Sequence, residues 1–297
     1  NIAYNKTVKK LIVVYSNQNI DLIDDKFNVT NISDIYSKIT TNDKTINSIC
    51  INGIYAYLST NFGIIKLNMK DAEVTNTYNF GAKVNSCAIL DNNIYAASPD
   101  GIYLGNENSN LIDKSNWKIV TPNSFKGIYN YNNTIVCFTS DYIFKYNTDA
   151  NNYDLLDQGN FTYLSINNGK MIIGNSSSAT VYSDINNKSS INTDGNTTYI
   201  AYDSNNGYYW YNQKDGGLTA SKAEGTTLTN TLSDIIPNSP KQNYFYSMLW
   251  KNNLLYCTGG GIAPEKTFRR PFGIYTYDGG KWTNYAVDSI NKKLNLN

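Results

Sequence analysis

The chain has 297 residues, with 25 basic and 24 acidic side chains, a net charge of +1 and no histidine. The missing imidazole excludes a Ser-His-Asp triad, a Cys-His dyad and a His-ligated zinc site. The balanced charge argues against nucleic-acid binding, and no apolar run is long enough to form a membrane-spanning helix.

The composition predicts an all-β protein. There are 26 Tyr residues and an unusually large share of Asn, whereas Glu is scarce. Tyr is common on half-buried strands, and Asn tolerates the left-handed backbone of tight turns. Long amphipathic helical patterns are missing, so we expect almost no helix.

An internal repeat is the strongest signal along the chain, and residues 46–80 show it most clearly. Short apolar segments joined by turns at Asn52-Gly53 and Asn61-Phe62-Gly63 predict four antiparallel strands. The predicted strands are Ile46–Ile51, Ile54–Thr60, Ile64–Met69 and Val74–Phe80.

Units of this kind fill the whole chain at a spacing typical of propeller blades. They begin near Asn1, Ile46, Val84, Phe125, Phe161, Thr197 and Tyr244. A four-stranded sheet cannot bury both faces alone, so such units pack face to face around an axis. The sequence therefore predicts one domain over residues 1–297, a seven-bladed β-propeller of four-stranded antiparallel blades.

The cysteines and two of the tryptophans are predicted to serve packing. Cys50 and Cys87 fall in first strands and Cys137 and Cys257 in second strands, without any C-x-x-C pair. We therefore expect buried free thiols in four different blades. Exposed tryptophans can stack on sugar rings, but Trp117 and Trp282 open fourth strands, which favours packing between blades.

One irregular insertion, residues 259–272, provides the candidate ligand site. It holds both arginines of the chain, Arg269 and Arg270, beside Lys266 and Phe268. Paired guanidinium groups can bind a phosphate, a carboxylate or an acidic sugar through two parallel hydrogen bonds. The alternative is a structural loop whose arginines stack on aromatic rings or pair with Asp of a neighbouring blade.

Metal, cofactor and catalytic sites find no support in the sequence. Asp21, Asp24 and Asp25 do not match a calcium-loop spacing, so we expect solvated turn carboxylates there. A propeller glycosidase would need two carboxylates facing each other across a channel, and the sequence singles out no such pair. We predict no metal, no cofactor and no enzymatic activity.

Several segments resemble the amino-terminal propeller of PorZ-like proteins from Bacteroidota. The likeness lies in the run Leu11 to Asp34, in TINSICINGIYAYLSTNFG from Thr45, in VNSCAILDNNIYAASPDG from Val84 and in the closing RPFGIYTYDGGKW. These proteins are similar in turn to the two-component regulator propellers that form sensory ectodomains of hybrid histidine kinases.

The resemblance implies a non-enzymatic component of the type IX secretion machinery at the outer face of the outer membrane or in the periplasm. The implied partners are a sortase-type surface protein and anionic lipopolysaccharide or another glycan. Family members carry a further blade, a second propeller and a carboxy-terminal domain, so we expect the chain to be part of a longer protein. The alternative function is a glycan-sensing periplasmic ectodomain of a hybrid two-component regulator.

Overall fold

The computed structural model describes residues 1–38, 43–150, 152–193, 195, 197–213, 217–235, 238–240, 245–260 and 272–285. Its contacts divide the chain into two compact units, the first of residues 1–211 and 221–229, the second of residues 212–220 and 230–297. The prediction that residues 1–297 form one domain stays a prediction.

Five complete four-stranded antiparallel sheets lie in the first unit, and we number them as blades 1 to 5. Blade 1 has β1 (Ile2–Asn5), β2 (Lys10–Val14), β3 (Ile20–Asp24) and β4 (Val29–Ile32); blade 2 has β5 (Ile46–Asn52), β6 (Tyr55–Thr60), β7 (Gly63–Asn68) and β8 (Glu73–Asn79). Blade 3 has β9 (Ser86–Leu90), β10 (Asn93–Ser98), β11 (Gly101–Asn106) and β12 (Lys118–Thr121). Blade 4 has β13 (Gly127–Tyr131), β14 (Thr134–Phe138), β15 (Tyr142–Asn147) and β16 (Asn152–Gln158); blade 5 has β17 (Tyr163–Asn167), β18 (Lys170–Gly174), β19 (Ser178–Tyr182) and β20 (Lys188–Asn192).

Blade 6 is shared between the two units, and blade 7 belongs to the second unit. Blade 6 has β21 (Thr197–Asp203), β22 (Tyr208–Gln213), β23 (Gly217–Glu224) and β24 (Thr227–Ile235). Blade 7 has β25 (Ser247–Lys251), β26 (Leu254–Thr258), β27 (Ile274–Tyr277) and β28 (Trp282–Tyr285). These seven sheets, each with its strands in sequence order, confirm the predicted fold class.

Helix is almost absent from the described residues, as the composition predicts. The exceptions are the five-residue helix α1 (Asp34–Lys38) and a single 3-10 turn at Lys114–Asn116, in which the backbone N–H of Ser115 donates to the Asp113 carboxylate. Neither segment could cross a bilayer, and no other described helix could do so.

Tight hairpin turns explain the Asn-rich composition. The two-residue loops at residues 91–92, 132–133, 168–169 and 252–253 each have positive φ at both positions. Such turns match the twist of the flanking strands, and Asn or Gly adopts them at little cost. In blade 2 the loop lies one residue later than predicted, at Gly53 and Ile54, because Asn52 pairs with Tyr55.

The first strands of three blades begin two residues after the predicted positions. Val84, Phe125 and Phe161 precede the strands and are buried in the core. The backbone N–H of Val84 donates to the carbonyl oxygen of Thr60 at 2.8 Å, across to the preceding blade. These apolar residues therefore hold the start of each of these blades against the preceding blade, just before the first strand pairs with the second.

Two glycines are required by close backbone approach at the start of third strands. A Cβ on Gly63, whose φ is +149°, would lie 1.9 Å from the carbonyl oxygen of Tyr78. A Cβ on Gly101, with φ +133°, would lie 2.1 Å from the carbonyl oxygen of Thr121. Any side chain would push the third and fourth strands apart, which explains the glycine in the NFG and PDG turns.

The hydrophobic core of the first unit consists of layers between consecutive blades. Each cluster joins buried residues of one sheet to those of the next along the chain. Examples are Ile12 with Leu58, Tyr57 with Ile94, Ala97 with Ile135, Tyr131 with Ile173, and Ile172 with Tyr209. Burial of both sheet faces is the driving force for stacking blades in sequence order.

A largely buried ion pair joins blades 2 and 3. Lys66 Nζ lies 2.6 Å from Glu107 Oε1, and their side chains are only 16% and 15% exposed. The Tyr57 hydroxyl donates a hydrogen bond to the same carboxylate oxygen at 2.7 Å. The ammonium also lies 4.3 Å from the centre of the Tyr55 ring. Burial and the hydrogen bond to Glu107 raise the pKa of Tyr57 far above its usual value.

A similar arrangement of a lysine, a tyrosine and a carboxylate joins blades 4 and 5, where it is more exposed to solvent. Tyr182 donates to Asp157 Oδ2 at 2.7 Å, and Lys188 Nζ lies 2.9 Å from the same atom, with 48% of the lysine side chain exposed. Burial alone would raise the pKa of Asp157, but the hydrogen bonds from Tyr182 and Lys188 outweigh it and lower that pKa.

The cysteines lie in the four blades predicted for them and are all free thiols. Cys87, Cys137 and Cys257 are buried, whereas Cys50 keeps part of its surface exposed. Burial raises the pKa of the Cys137 thiol, as expected for an inert packing residue.

The two tryptophans differ in what they contact. Trp117 is buried, and its ring centre lies 4.5 Å from that of Phe80 in the preceding blade, which confirms packing between blades. Trp282 instead stacks on Phe245 and Tyr277 of its own unit, at ring separations of 5.8 and 4.9 Å. Trp250 remains 59% exposed.

Candidate ligand-binding site

The predicted ligand site, Arg269 and Arg270 with Lys266 and Phe268, lies outside the described residues. The nearest described part of that insertion is Phe272, which is 52% exposed. The structure instead presents a candidate site elsewhere, inside the first unit.

A polar cavity of about 550 Å³ opens where three blades present the turn between their first and second strands. We call it the turn cavity. It is lined by Tyr4, Lys6 and Thr7 of blade 1, Ile51, Asn52 and Gly53 of blade 2, and Ile166, Asn167 and Asn168 of blade 5. The shared turn position places side chains from distant parts of the chain around one space.

Asn5 fixes the part of the turn cavity that comes from blade 1. Its side chain is fully buried, and Oδ1 accepts hydrogen bonds from the backbone N–H groups of Thr7 at 2.9 Å and Val8 at 3.3 Å. Its Nδ2 donates to the carbonyl oxygen of Gly53 in blade 2 at 3.0 Å. This one amide therefore sets the turn of residues 6–9 and its distance from the next blade.

Lys6 reaches across the turn cavity. Its ammonium donates a hydrogen bond to Oδ1 of Asn168 in blade 5. Asn168 is held in turn by blade 6, since its Nδ2 donates to the carbonyl oxygen of Tyr202 at 2.7 Å. The left-handed backbone of Asn168, with φ +49°, belongs to the hairpin turn, so the amide is positioned by the fold itself.

The electrostatic character of the turn cavity is cationic. Among the described residues that line it, Lys6 is the sole charged side chain, and the other polar side chains are three amides and the hydroxyl groups of Tyr4 and Thr7. The ring of Tyr4 is 53% exposed at the rim. An ammonium, several amides and an exposed ring suit a polar, negatively charged ligand that offers hydroxyl groups.

Acid–base chemistry has little support in the described residues. Among the described residues, every carboxyl group with a displaced pKa has it lowered by hydrogen bonds, as in Asp24, Asp113 and Asp184 at turns and in Asp157 on β16. A general acid needs the opposite displacement. Asp24 accepts from the backbone N–H groups of Lys26 and Asn28 at 2.9 and 2.8 Å, so it stabilises its own turn.

The sequence contains a signal for the turn cavity, although we predict no site there from the sequence. Turns rich in Asn recur between the first and second strands of the repeat, and a propeller gathers equivalent turns at one end. What the sequence does not reveal is the pairing of Lys6 with Asn168, because it joins residues 162 positions apart.

Residues 1–118 match the sequence model of the amino-terminal β-propeller domain of PorZ from the type IX secretion system. No curated protein sequence matches the chain. Among solved structures, PorZ of Porphyromonas gingivalis aligns at a TM-score of 0.75 with 24% identity, covering 99% of this chain and 40% of the PorZ chain.

Two further structures share the fold at lower identity. The extracellular domain of a hybrid two component system from B. thetaiotaomicron aligns at a TM-score of 0.57 with 15% identity, covering 96% of this chain and 40% of that one. The Cps50 (Swd1) β-propeller domain of Myceliophteria thermophila aligns at 0.61 with 11% identity, covering 91% and 94%.

The chain thus spans 40% of the length of the PorZ and two-component chains that it matches. PorZ itself is described as an essential bacterial surface component of the type IX secretion system. The family model and the PorZ structure together confirm the resemblance to PorZ-like propellers that the sequence indicates, with the family pattern carried by residues 1–118.

Proposed function

We propose that this propeller is a non-enzymatic binding component of the bacterial cell surface, and that it binds an anionic saccharide in the turn cavity. The observation that carries the proposal is the cross-blade arrangement of Lys6 and Asn168 in a concave site lined by amides. The likeness to PorZ supports a surface role in type IX secretion.

The chemistry of the turn cavity matches a charged sugar. The Lys6 ammonium supplies a point charge for a carboxylate or phosphate, and Asn52, Asn167 and Asn168 offer amide donors and acceptors for hydroxyl groups. The exposed ring of Tyr4 supplies an apolar face at the rim. Anionic lipopolysaccharide combines these features, and the proposed protein partner is a sortase-type surface protein.

Binding of purified anionic lipopolysaccharide, compared with an uncharged polysaccharide, tests this function. Loss of the charge in Lys6→Gln is expected to weaken binding roughly tenfold or more, the cost of one charge-assisted hydrogen bond. Lys9→Gln is the matched control, because Lys9 is exposed in the same turn but does not line the turn cavity. Equal affinity of wild type and Lys6→Gln would refute the site.

The arginine pair remains a separate proposed site for an anionic saccharide. Arg269→Ala combined with Arg270→Ala removes both guanidinium groups, and Lys266 and Phe268 can be replaced in a further variant. If the insertion contributes, binding falls in the double variant and falls further when Lys6→Gln is added. Unchanged binding would make the insertion structural.

A sensory ectodomain is the second candidate, and the shared fold with the two-component ectodomain is the observation that favours it. The two functions differ in the response to ligand. A sensor is expected to dimerise when the saccharide is added, whereas a surface adaptor binds without a change in oligomeric state, and light scattering distinguishes them.

A further inference from the structure

Two cysteines lie in the hydrophobic layer between blades 2 and 3. Cys50 lies on β5 and Cys87 on β9, the first strands of consecutive sheets, and both belong to one hydrophobic cluster. The two strands lie side by side, and Asn47 Nδ2 on β5 donates to the carbonyl oxygen of Val84, just before β9, at 2.8 Å. Cys50 and Cys87 each lie three residues further along.

The positions in blades 5 and 6 that correspond to Cys50 and Cys87 are in contact with each other. Counted from the start of each unit, Ser165 corresponds to Cys50 and Ile200 to Cys87. Ser165 Oγ donates to the carbonyl oxygen of Ile200 at 2.6 Å. A side chain at this position therefore reaches the first strand of the next blade, and next to blade 2 the residue at the corresponding position of that strand is Cys87.

The neighbouring Cys87 thiol lowers the pKa of Cys50 against the opposing effect of burial, whereas Cys50 and burial together raise the pKa of Cys87. The two thiols also differ in access, since Cys50 is partly exposed and Cys87 is 3% exposed. Cys50 has the properties of an attacking thiol and Cys87 those of a resolving thiol.

We propose that Cys50 and Cys87 form a reversible disulfide that links the first strands of blades 2 and 3. The oxidant is a disulfide compound. The Cys50 thiolate attacks one of its sulfurs, a mixed disulfide forms and one thiol leaves. Cys87 then loses its proton to solvent and attacks the Cys50 sulfur, releasing the second thiol. Two protein thiols are oxidised and one disulfide is reduced to two thiols.

Oxidised glutathione, added to the folded wild-type chain, tests the proposal. The expected product is lighter by two hydrogen atoms, and peptide mapping recovers a Cys50–Cys87 link while Cys137 and Cys257 stay alkylatable after denaturation. The melting temperature is expected to rise on oxidation and to return with reductant, because the link constrains the unfolded chain. Four alkylatable thiols after oxidation, or a link between another pair, would overturn the proposal.

Three variants assign the two roles. Cys87→Ser is expected to stop at a glutathione adduct on Cys50, whereas Cys50→Ser is expected to form neither adduct nor link. Cys137→Ser is the matched control, a buried cysteine on a second strand, and is expected to form the link like the wild type. A glutathione adduct on Cys87 in Cys50→Ser would contradict the assigned order of attack.

Discussion

Replacing Glu107 by Gln is the most direct test of how consecutive blades are joined. The change removes the negative charge of the carboxylate that both Lys66 and Tyr57 contact, and it keeps the size of the side chain. Both members of the ion pair are about five-sixths buried, so water cannot readily replace the lost partner. The ammonium of Lys66 would remain in the interface beside the Tyr55 ring.

The expected cost follows from burial. Removing one partner of a buried pair destabilises a protein by about 3 to 5 kcal/mol. The ring of Tyr55 at 4.3 Å offsets about 1 kcal/mol of that through a cation–π contact, so the free energy of unfolding should fall by about 3 kcal/mol. The double change Lys66→Met with Glu107→Leu removes both charges and should recover most of this loss.

Urea unfolding followed by tryptophan fluorescence measures the effect, since Trp117 lies in the same cluster between blades 2 and 3. Lys188→Met is the matched control, because it breaks the same Lys–Tyr–carboxylate arrangement where the lysine is 48% exposed. Its expected cost is about 0.5 kcal/mol. If Glu107→Gln costs no more than Lys188→Met, burial does not govern these contacts and the reasoning is wrong.

Three further predictions concern stability and the cavity. Because the pKa of Asp157 is lowered in the folded chain, its stabilising effect is present above the unfolded pKa of about 4 and is lost as the pH falls below it. Asp157→Asn should therefore flatten the acid side of a plot of melting temperature against pH, and an unchanged profile would contradict this. Gly63→Ala should cost several kcal/mol in urea unfolding, whereas Gly81→Ala, where a Cβ meets nothing within 4 Å, should cost only about 1 kcal/mol for its positive φ. Asn5→Ala should lower the melting temperature and weaken saccharide binding. If Asn5→Ala binds saccharide normally while Lys6→Gln abolishes binding, the turn of residues 6–9 does not position Lys6 as described.

The sequence predicts the blades well because strand and turn signals are local. The alternating segments around Asn52-Gly53 and the paired Asn residues at 132–133 place most strands to within two residues. The apolar pattern alone places Val84, Phe125 and Phe161 in strands, whereas in the structure they precede the strands and are buried in the core.

Contacts between distant residues could not be predicted in the same way. Nothing in the local pattern around Lys6 indicates Asn168, and the pairing of Cys50 with Cys87 depends on how two strands lie side by side. The direction of the Trp282 ring likewise depends on Phe245 and Tyr277, which are not its neighbours in sequence. Spatial proximity across blades is what the structure adds.

The layered core has a consequence for how the first unit assembles. Contacts between consecutive blades join residues that are much closer in sequence than Lys6 and Asn168. Ser165 and Ile200 are 35 positions apart and Ser86 and Ile128 are 42, so each blade can contact its partner soon after both are synthesised. The bond from Lys6 to Asn168 must instead wait until blade 5 exists. The turn cavity therefore forms late. An incomplete chain could pack its first blades together and still lack the ligand-binding site.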